Sequence, residues 1–375
     1  MEYIINSHTH LFTLNQVPVR FITGQRLFAS SEQSRYKIAC FLRKIIPWSD
    51  TDVFDRLATF VVNGNFNTQE EVFDRLRMFY PSDTRFAVHT VDFEYMGAGK
   101  TPESFTQQLD GVAAIKRKHP EAIYPFMGID PRRPDVFDLF KRYIEDEKFA
   151  GIKLYTSMGF FPFDERLYPI YEYAEKYQIP IMTHCSASGP VYGRNLPPKN
   201  QRVHPKTGEP MIYKNKKSFA DHYTNPDNYH YVLRDFPLLK ICFAHFGGDT
   251  QCLKYYKSND PNDLQNNWFI KVHDLLKQYR NTYADISYSS ANFDLLVLFN
   301  ALLQNPTGCK EGDMDAKTSA GNYVTRNKIL FGSDFYMSNI ERNERWFSMN
   351  VRMGLGERHY KLVAHTNAKR YLNID

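Results

Sequence analysis

The stretch Glu2–Phe12, "EYIINSHTHLF", ends a short apolar run with two histidines one residue apart. Side chains alternate along a strand, so residues i and i+2 share a face. His8 and His10 therefore point one way and Thr9 the other, just past Tyr3, Ile4 and Ile5. Two imidazoles on one face can grip a metal ion together, and histidine is the commonest metal ligand. Surface histidines at a strand end are the plain alternative. A two-residue motif does not decide between them, so any further ligands must come from elsewhere in the chain.

Outward from this stretch, strand-like runs alternate with helical patterns. The strands are expected at Tyr3–Asn6, Arg85–Val91, Ile123–Ile129, Ala150–Tyr155, Ile179–Thr183, Leu239–Ala244, Thr282–Ile286 and Ile329–Gly332. Helix starts are marked by Thr68 with Glu71, by Thr101 with Pro102 and by Asn225 with Pro226. Leu167, Ile170, Tyr171 and Ala174 recur at helical spacing in "RLYPIYEYAEKY". Eight apolar strands, each followed by a helix, predict an α/β fold: a single (β/α)8 TIM barrel spanning residues 1–375 as one domain. An open doubly wound sheet is the alternative, but no G-x-G-x-x-G follows the first strand. Two connections are long, after strand 1 (residues 11–67) and after strand 5 (residues 186–225), and long loops are usually lids or binding loops.

Hydrophobic residues at 42% and charged ones at 24% describe an ordinary globular chain with material for a large core. No leader is evident and no apolar run approaches the ~20 residues that span a bilayer, so a cytoplasmic protein without membrane contact is expected. Five scattered cysteines without C-x-x-C spacing argue against a disulfide framework or a cysteine zinc site. The net charge of +5 is too mild for a dedicated nucleic-acid binder. One segment is strongly basic. Arg194, Lys199, Arg202, Lys206, Lys214, Lys216 and Lys217 face a single acid, Glu209. Such a run is usually a solvated loop, but this one follows strand 5 and starts at the barrel mouth. There it would favour a small anionic substrate, with Arg194 and Arg202 as anchors because a guanidinium binds a carboxylate bidentately.

In a barrel of this kind the C-terminal strand ends carry the chemistry. His8 and His10 end strand 1, His184 ends strand 5, His245 ends strand 6 and Asp334 follows strand 8. Any one alone reads as a satisfied core or surface residue. Together they read as a metal site. Alternation in "GIKLYT" also turns Lys153 and Tyr155 to one face, where a buried lysine needs a partner. Weaker candidates are Asp285, as an orienter of a ligand histidine, and His89, Asp92 and His204. Cys185 is expected to pack away from the metal, and "DPRRPD" (130–135) reads mainly as a turn.

The order His-x-His, His, His, Gly-Ser-Asp resembles the amidohydrolase superfamily. The phrases "IDPRRPD", "GIKLY", "IPIMTHC", "AHFGG", "FGSDF" and "HTNAKRYL" are similar to its branch of amidohydrolase-related decarboxylases and lactone hydrolases. The resemblance implies a divalent metal held by His8, His10, His184 and Asp334. Zn²⁺ suits these ligands, with Mn²⁺ or Fe²⁺ tolerated. It implies Asp334 as the base that takes the proton of a metal-activated water. His245 would be a second-metal ligand or an acid/base, and Lys153 a carbamylated bridge if two ions bind. Independently of the resemblance, Tyr155, on the inward face with Lys153, and the basic loop at the barrel mouth are expected to bind substrate. The implied activity is hydrolysis of a small amide, lactone or ester. Non-oxidative decarboxylation is the alternative, and a non-catalytic metal-binding barrel is a third reading. Such a protein could also be a homo-oligomer.

Overall fold

Eight short apolar runs pair edge to edge in chain order, every pairing parallel. They are β1 (Ile5–Thr9), β2 (Arg85–His89), β3 (Ile123–Ile129), β4 (Gly151–Leu154), β5 (Ile181–Thr183), β6 (Ile241–Phe243), β7 (Thr282–Asp285) and β8 (Ile329–Leu330). These belong to a computed structural model that describes residues 2–20, 66–187, 192–258, 260–305, 308–310, 313–335, 337 and 343–374. Most of the long connection after β1, residues 21–65, lies outside the described residues, as do residues 188–191 after β5.

The sheet curls until its first and last strands meet. Ser7 N–H donates to the Phe331 carbonyl at 2.9 Å, His10 N–H to Phe335 at 2.7 Å, and Asp334 N–H to His8 at 2.8 Å. The Asn6 amide adds two bonds across the same seam, to Ser333 Oγ at 2.9 Å and from Ser333 N–H at 3.0 Å. The result is a nearly closed (β/α)8 barrel.

Parallel strands covered on both faces need apolar residues on both. The outward residues pack under the surrounding helices in one large core that includes Val88, Met127, Ile152 and Phe243. The inward ones, Ile5, Ala87, Phe126, Met182, Cys242, Tyr283 and Leu330, fill the barrel. Ala368, Tyr371 and Leu372, from the last helix (Asn367–Leu372), join them. Gly151 shows how tightly the interior is filled: a Cβ there would meet the Phe126 ring at 2.5 Å.

Helix starts follow local capping more closely than proline position. Thr68 caps Gln69–Arg77 by accepting from Glu71 N–H, while the Glu71 carboxylate reaches back to Asn67 N–H. Thr101 and Pro102 do not open the next helix. It runs Phe105–Lys118 behind a capping box of Ser104 and Gln107, whose reciprocal bonds satisfy two terminal donors. Asn225 caps a 3-10 turn, Pro226–Asn228, ahead of the helix Tyr229–Asp235. Cys185, Cys242, Cys252 and Cys309 are free. No helix among the described residues is long and apolar enough to cross a membrane.

Candidate metal centre

β1 reaches three residues further than its apolar run suggests, so His8 lies inside the strand and His10 one residue beyond it. Between Asn6 and Thr9 the pairing with β2 slips by one residue. Such a bulge re-aims side chains next to functional sites. Both histidines still face the barrel mouth.

Each is held by its Nδ1. His8 Nδ1 lies 2.9 Å from Asp285 Oδ2, and His10 Nδ1 lies 2.8 Å from the His89 carbonyl oxygen. Oxygens of those kinds only accept, so the Nδ1 atoms carry the hydrogens and the Nε2 lone pairs look into the site. Tethering the far nitrogen in this way is how metal-ligating histidines are oriented. His10 Nε2 is 3.3 Å and His8 Nε2 3.6 Å from one oxygen, Asp334 Oδ1. Lone pairs facing a carboxylate oxygen repel unless a cation lies among them. The ligand atoms of His8, His10 and Asp334 all fall within 4.8 Å of one another.

The charge states fit that reading. Burial, then the charge of Lys153, hold His8 well below its usual pKa. Burial alone would raise the carboxyl of Asp334, but the neighbouring imidazoles, His10 first and then His8 and His245, outweigh it and leave it lowered. Neutral imidazole beside ionised carboxylate is a donor set for borderline divalent ions. Asp334 adopts φ 60° and His245 φ 61°, in the left-handed region that side chains other than glycine's avoid. Strain of this type concentrates at functional sites.

His184 stands one ring further along. Its ring stacks on Tyr155 at 4.5 Å and sits 5.1 Å from that of His245, which is in turn 5.1 Å from His8. His184 is held well below its usual pKa by burial and by His245, and its Nε2 is buried without a hydrogen-bond partner. A neutral ring nitrogen without a hydrogen-bond partner is what a further ligand position offers.

His245, Asp285 and His8 form a second close group. The oxygens of Asp285 are already engaged by His8, by the amides of His245 and Ser287 (both 3.0 Å) and by the Ser287 hydroxyl. Asp285 thus braces His8 through its ring and His245 through its backbone amide. Ser287, which its sequence context does not mark, also meets His245 Nδ1 at 3.0 Å.

Lys153 faces inward as its alternation with Tyr155 requires. Its Nζ is 3.0 Å from His8 Nε2, and burial draws its pKa down to about 8. Beyond it a small cavity is lined by Lys153, Tyr155, Asp130, Met158 and Phe160. Arg132 borders this region, bonded to Asp130 Oδ1 at 2.7 Å and to the Met158 carbonyl at 3.2 Å. The turn reading of "DPRRPD" gave no hint of that position.

Arg194 approaches the same side, half-buried against Gly97, with Nε donating to the Tyr95 carbonyl at 3.2 Å. Burial and the neighbouring charge of Arg132 lower its pKa. Arg202 is not brought to the metal residues. It donates to Pro197 O within its own loop and lies over the Tyr213 ring at 4.8 Å. Among the weaker candidates, His89 bonds Ser7 O at 2.9 Å, Asp92 pairs with Arg133 at 2.7 Å and His204 meets Asn228 at 3.0 Å. Cys185 is buried, which pushes its thiol up.

Solved structures share this architecture at low identity. The 5-carboxyvanillate decarboxylase from Novosphingobium aromaticivorans, complexed with manganese and a nitrobenzoic acid, matches with a TM-score of 0.57 at 11% identity, covering 99% of this chain and 96% of that one. The 2,6-dihydroxybenzoate decarboxylase from Rhizobium matches at 0.52 and 13%, covering 100% and 99%. These likenesses establish the fold alone. No curated protein sequence matches the chain. The amidohydrolase family model matches residues 65–374, leaving β1 outside the match although its histidines meet Asp334 in space. With the model spanning most of the sequence, the chain belongs to the amidohydrolase family.

Proposed function

We propose that this protein is a metal-dependent hydrolase of a small, anionic molecule, attacking an amide, lactone or ester carbonyl. The observation that carries the reading is the convergence of His8 Nε2 and His10 Nε2 on one oxygen of Asp334. His8, His10, His184 and Asp334 would hold the ion, Zn²⁺ in the first instance and Mn²⁺ or Fe²⁺ by the same donor logic. When bound, such an ion acidifies water and polarises a carbonyl oxygen.

The chain's own groups supply the rest. Asp334, kept ionised, takes the proton from the attacking water and passes it to the leaving group. His245, with Nδ1 tied to Ser287, presents Nε2 to the substrate as acid or base. Lys153 would join a second ion if carbamylated, and otherwise lies where it can pair with an anionic substrate. Tyr155 walls the cavity and stacks on His184, and Arg194, held at the Tyr95 carbonyl, would anchor the substrate.

Decarboxylation is the second reading. It is favoured by His245, since replacing a lost carboxylate by hydrogen needs a proton donor beside the substrate, a role that His245 or Asp334 would fill. Several proteins of this fold are named decarboxylases, and one is complexed with a substituted benzoic acid.

The test uses metal-loaded protein with small carboxylate-bearing substrates in ¹⁸O water. Label in the product is expected for hydrolysis; CO₂ release without label would transfer the assignment to decarboxylation. Full activity after complete chelation of metal would overturn both.

A further inference from the structure

The opposite end of the barrel carries a basic pocket of its own. A cavity of about 400 Å³ opens where β5, β6 and β7 begin, at the other end of those strands from His184, His245 and Asp285. Three cations line it: Lys240, just before β6, Arg280, just before β7, and Arg370 from the last helix.

Arg280 is neutralised by Asp315, its Nη2 meeting Oδ2 at 2.8 Å. Asp313, the other acid of the lining, is turned to its own loop, accepting from Asp315 N–H at 2.9 Å. Lys240 and Arg370 have no carboxylate partner among the described residues. Lys240 is 5% exposed and donates to the Arg370 carbonyl at 3.1 Å and to Asn373 Oδ1, which leaves one ammonium hydrogen free. Arg370 keeps Nη1 buried without an acceptor.

Buried donors on charged groups are costly to leave unmade. Two of them, on neighbouring like charges, are costlier still. The bland explanation is that Lys240 serves only to cap the carbonyl at the end of the last helix. It accounts for two of the lysine's hydrogens and for nothing on Arg370.

We propose that this pocket binds a phosphate-sized oxyanion between Lys240 and Arg370. Cations alone would attract any anion. The guanidinium fork and ammonium favour one with several oxygens, which can take bonds from both at once. The site makes no use of the metal centre and stands whether or not that reading does.

Isothermal titration calorimetry of the full-length, metal-loaded protein with inorganic phosphate tests this, against chloride at matched ionic strength. One saturable phosphate site is expected that weakens at least tenfold in a Lys240→Gln/Arg370→Gln double variant. Any phosphate held at the metal end must persist in that variant. Should the double variant not fold, Lys240→Gln alone is read against the same threshold, with Lys240→Arg expected to keep binding. A phosphate isotherm unchanged by these substitutions, or one that chloride reproduces, would overturn the proposal.

Discussion

Ser287 has one hydroxyl hydrogen, and Asp285 Oδ1 receives it. Its lone pairs are then free to accept from His245 Nδ1 at 3.0 Å, which fixes that ring with Nε2 toward the substrate side. Asp285 needs both oxygens as acceptors, one for His8 Nδ1 and one for the amides of His245 and Ser287. An amide in its place would turn an NH₂ group toward one of those donors. Asp285→Asn is therefore expected to lower metal affinity by about 10–100-fold, read by competition with a chelator, with the far-ultraviolet circular dichroism unchanged. Unaltered affinity would remove Asp285 from the site's support. At this scale the sequence was legible where spacing carries geometry. His8 and His10 share a face by alternation, and Asp285 sits at a strand end. Ser287 was not legible, because a serine in "DISYSS" looks like any turn residue. Arg132 was hidden for the same reason inside a proline-rich turn signal.

Between β8 and β1 a single residue without a side chain sets the spacing. A Cβ on Gly332 would lie 2.6 Å from His8 Cβ and 3.2 Å from Ser287 Cβ. Neither neighbour can yield, since His8 is pinned at Nδ1 and Ser287 at its hydroxyl. Gly332→Ala should cost about 1–3 kcal/mol in a urea titration, the usual penalty of overpacking, and should also weaken metal binding by displacing His8. A loss of stability with metal affinity intact would mean that the seam gives way elsewhere. The existence and order of all eight strands followed from apolar runs, because parallel strands buried on both faces read as continuous hydrophobic segments. Their ends did not follow. β8 is only two residues, Ile329–Leu330, and the rest of "ILFGSDF" serves the seam and the site. The helix expected at Thr101 begins instead after Ser104, where a reciprocal cap outweighs a proline.

Acid sensitivity belongs to the whole molecule, since burial keeps His8, His89 and His184 well below the ordinary histidine pKa. Those groups are entangled with the metal residues. His273 isolates the effect, because it lies on the outer helix Trp268–Gln278, stacked on Phe269 and bonded to Thr325 at 3.2 Å. Burial, reinforced by Lys277 and opposed by Asp274, brings its pKa down to about 4. In the unfolded chain it titrates near ~6.5. Between those values the unfolded state holds the proton and the folded state does not, so stability is full above pH ~6.5 and falls as the pH drops toward 4. The slope for one proton is ~1.4 kcal/mol per pH unit, which bounds the loss at about 3 kcal/mol over this range. His273→Phe keeps the aromatic stack but cannot bind a proton. Urea unfolding at pH 5 and pH 7 should show a smaller difference for the variant than for the parent, by no more than one proton's slope. An identical difference in both would mean that His273 takes up its proton without unfolding, the ring turning from Phe269 to water.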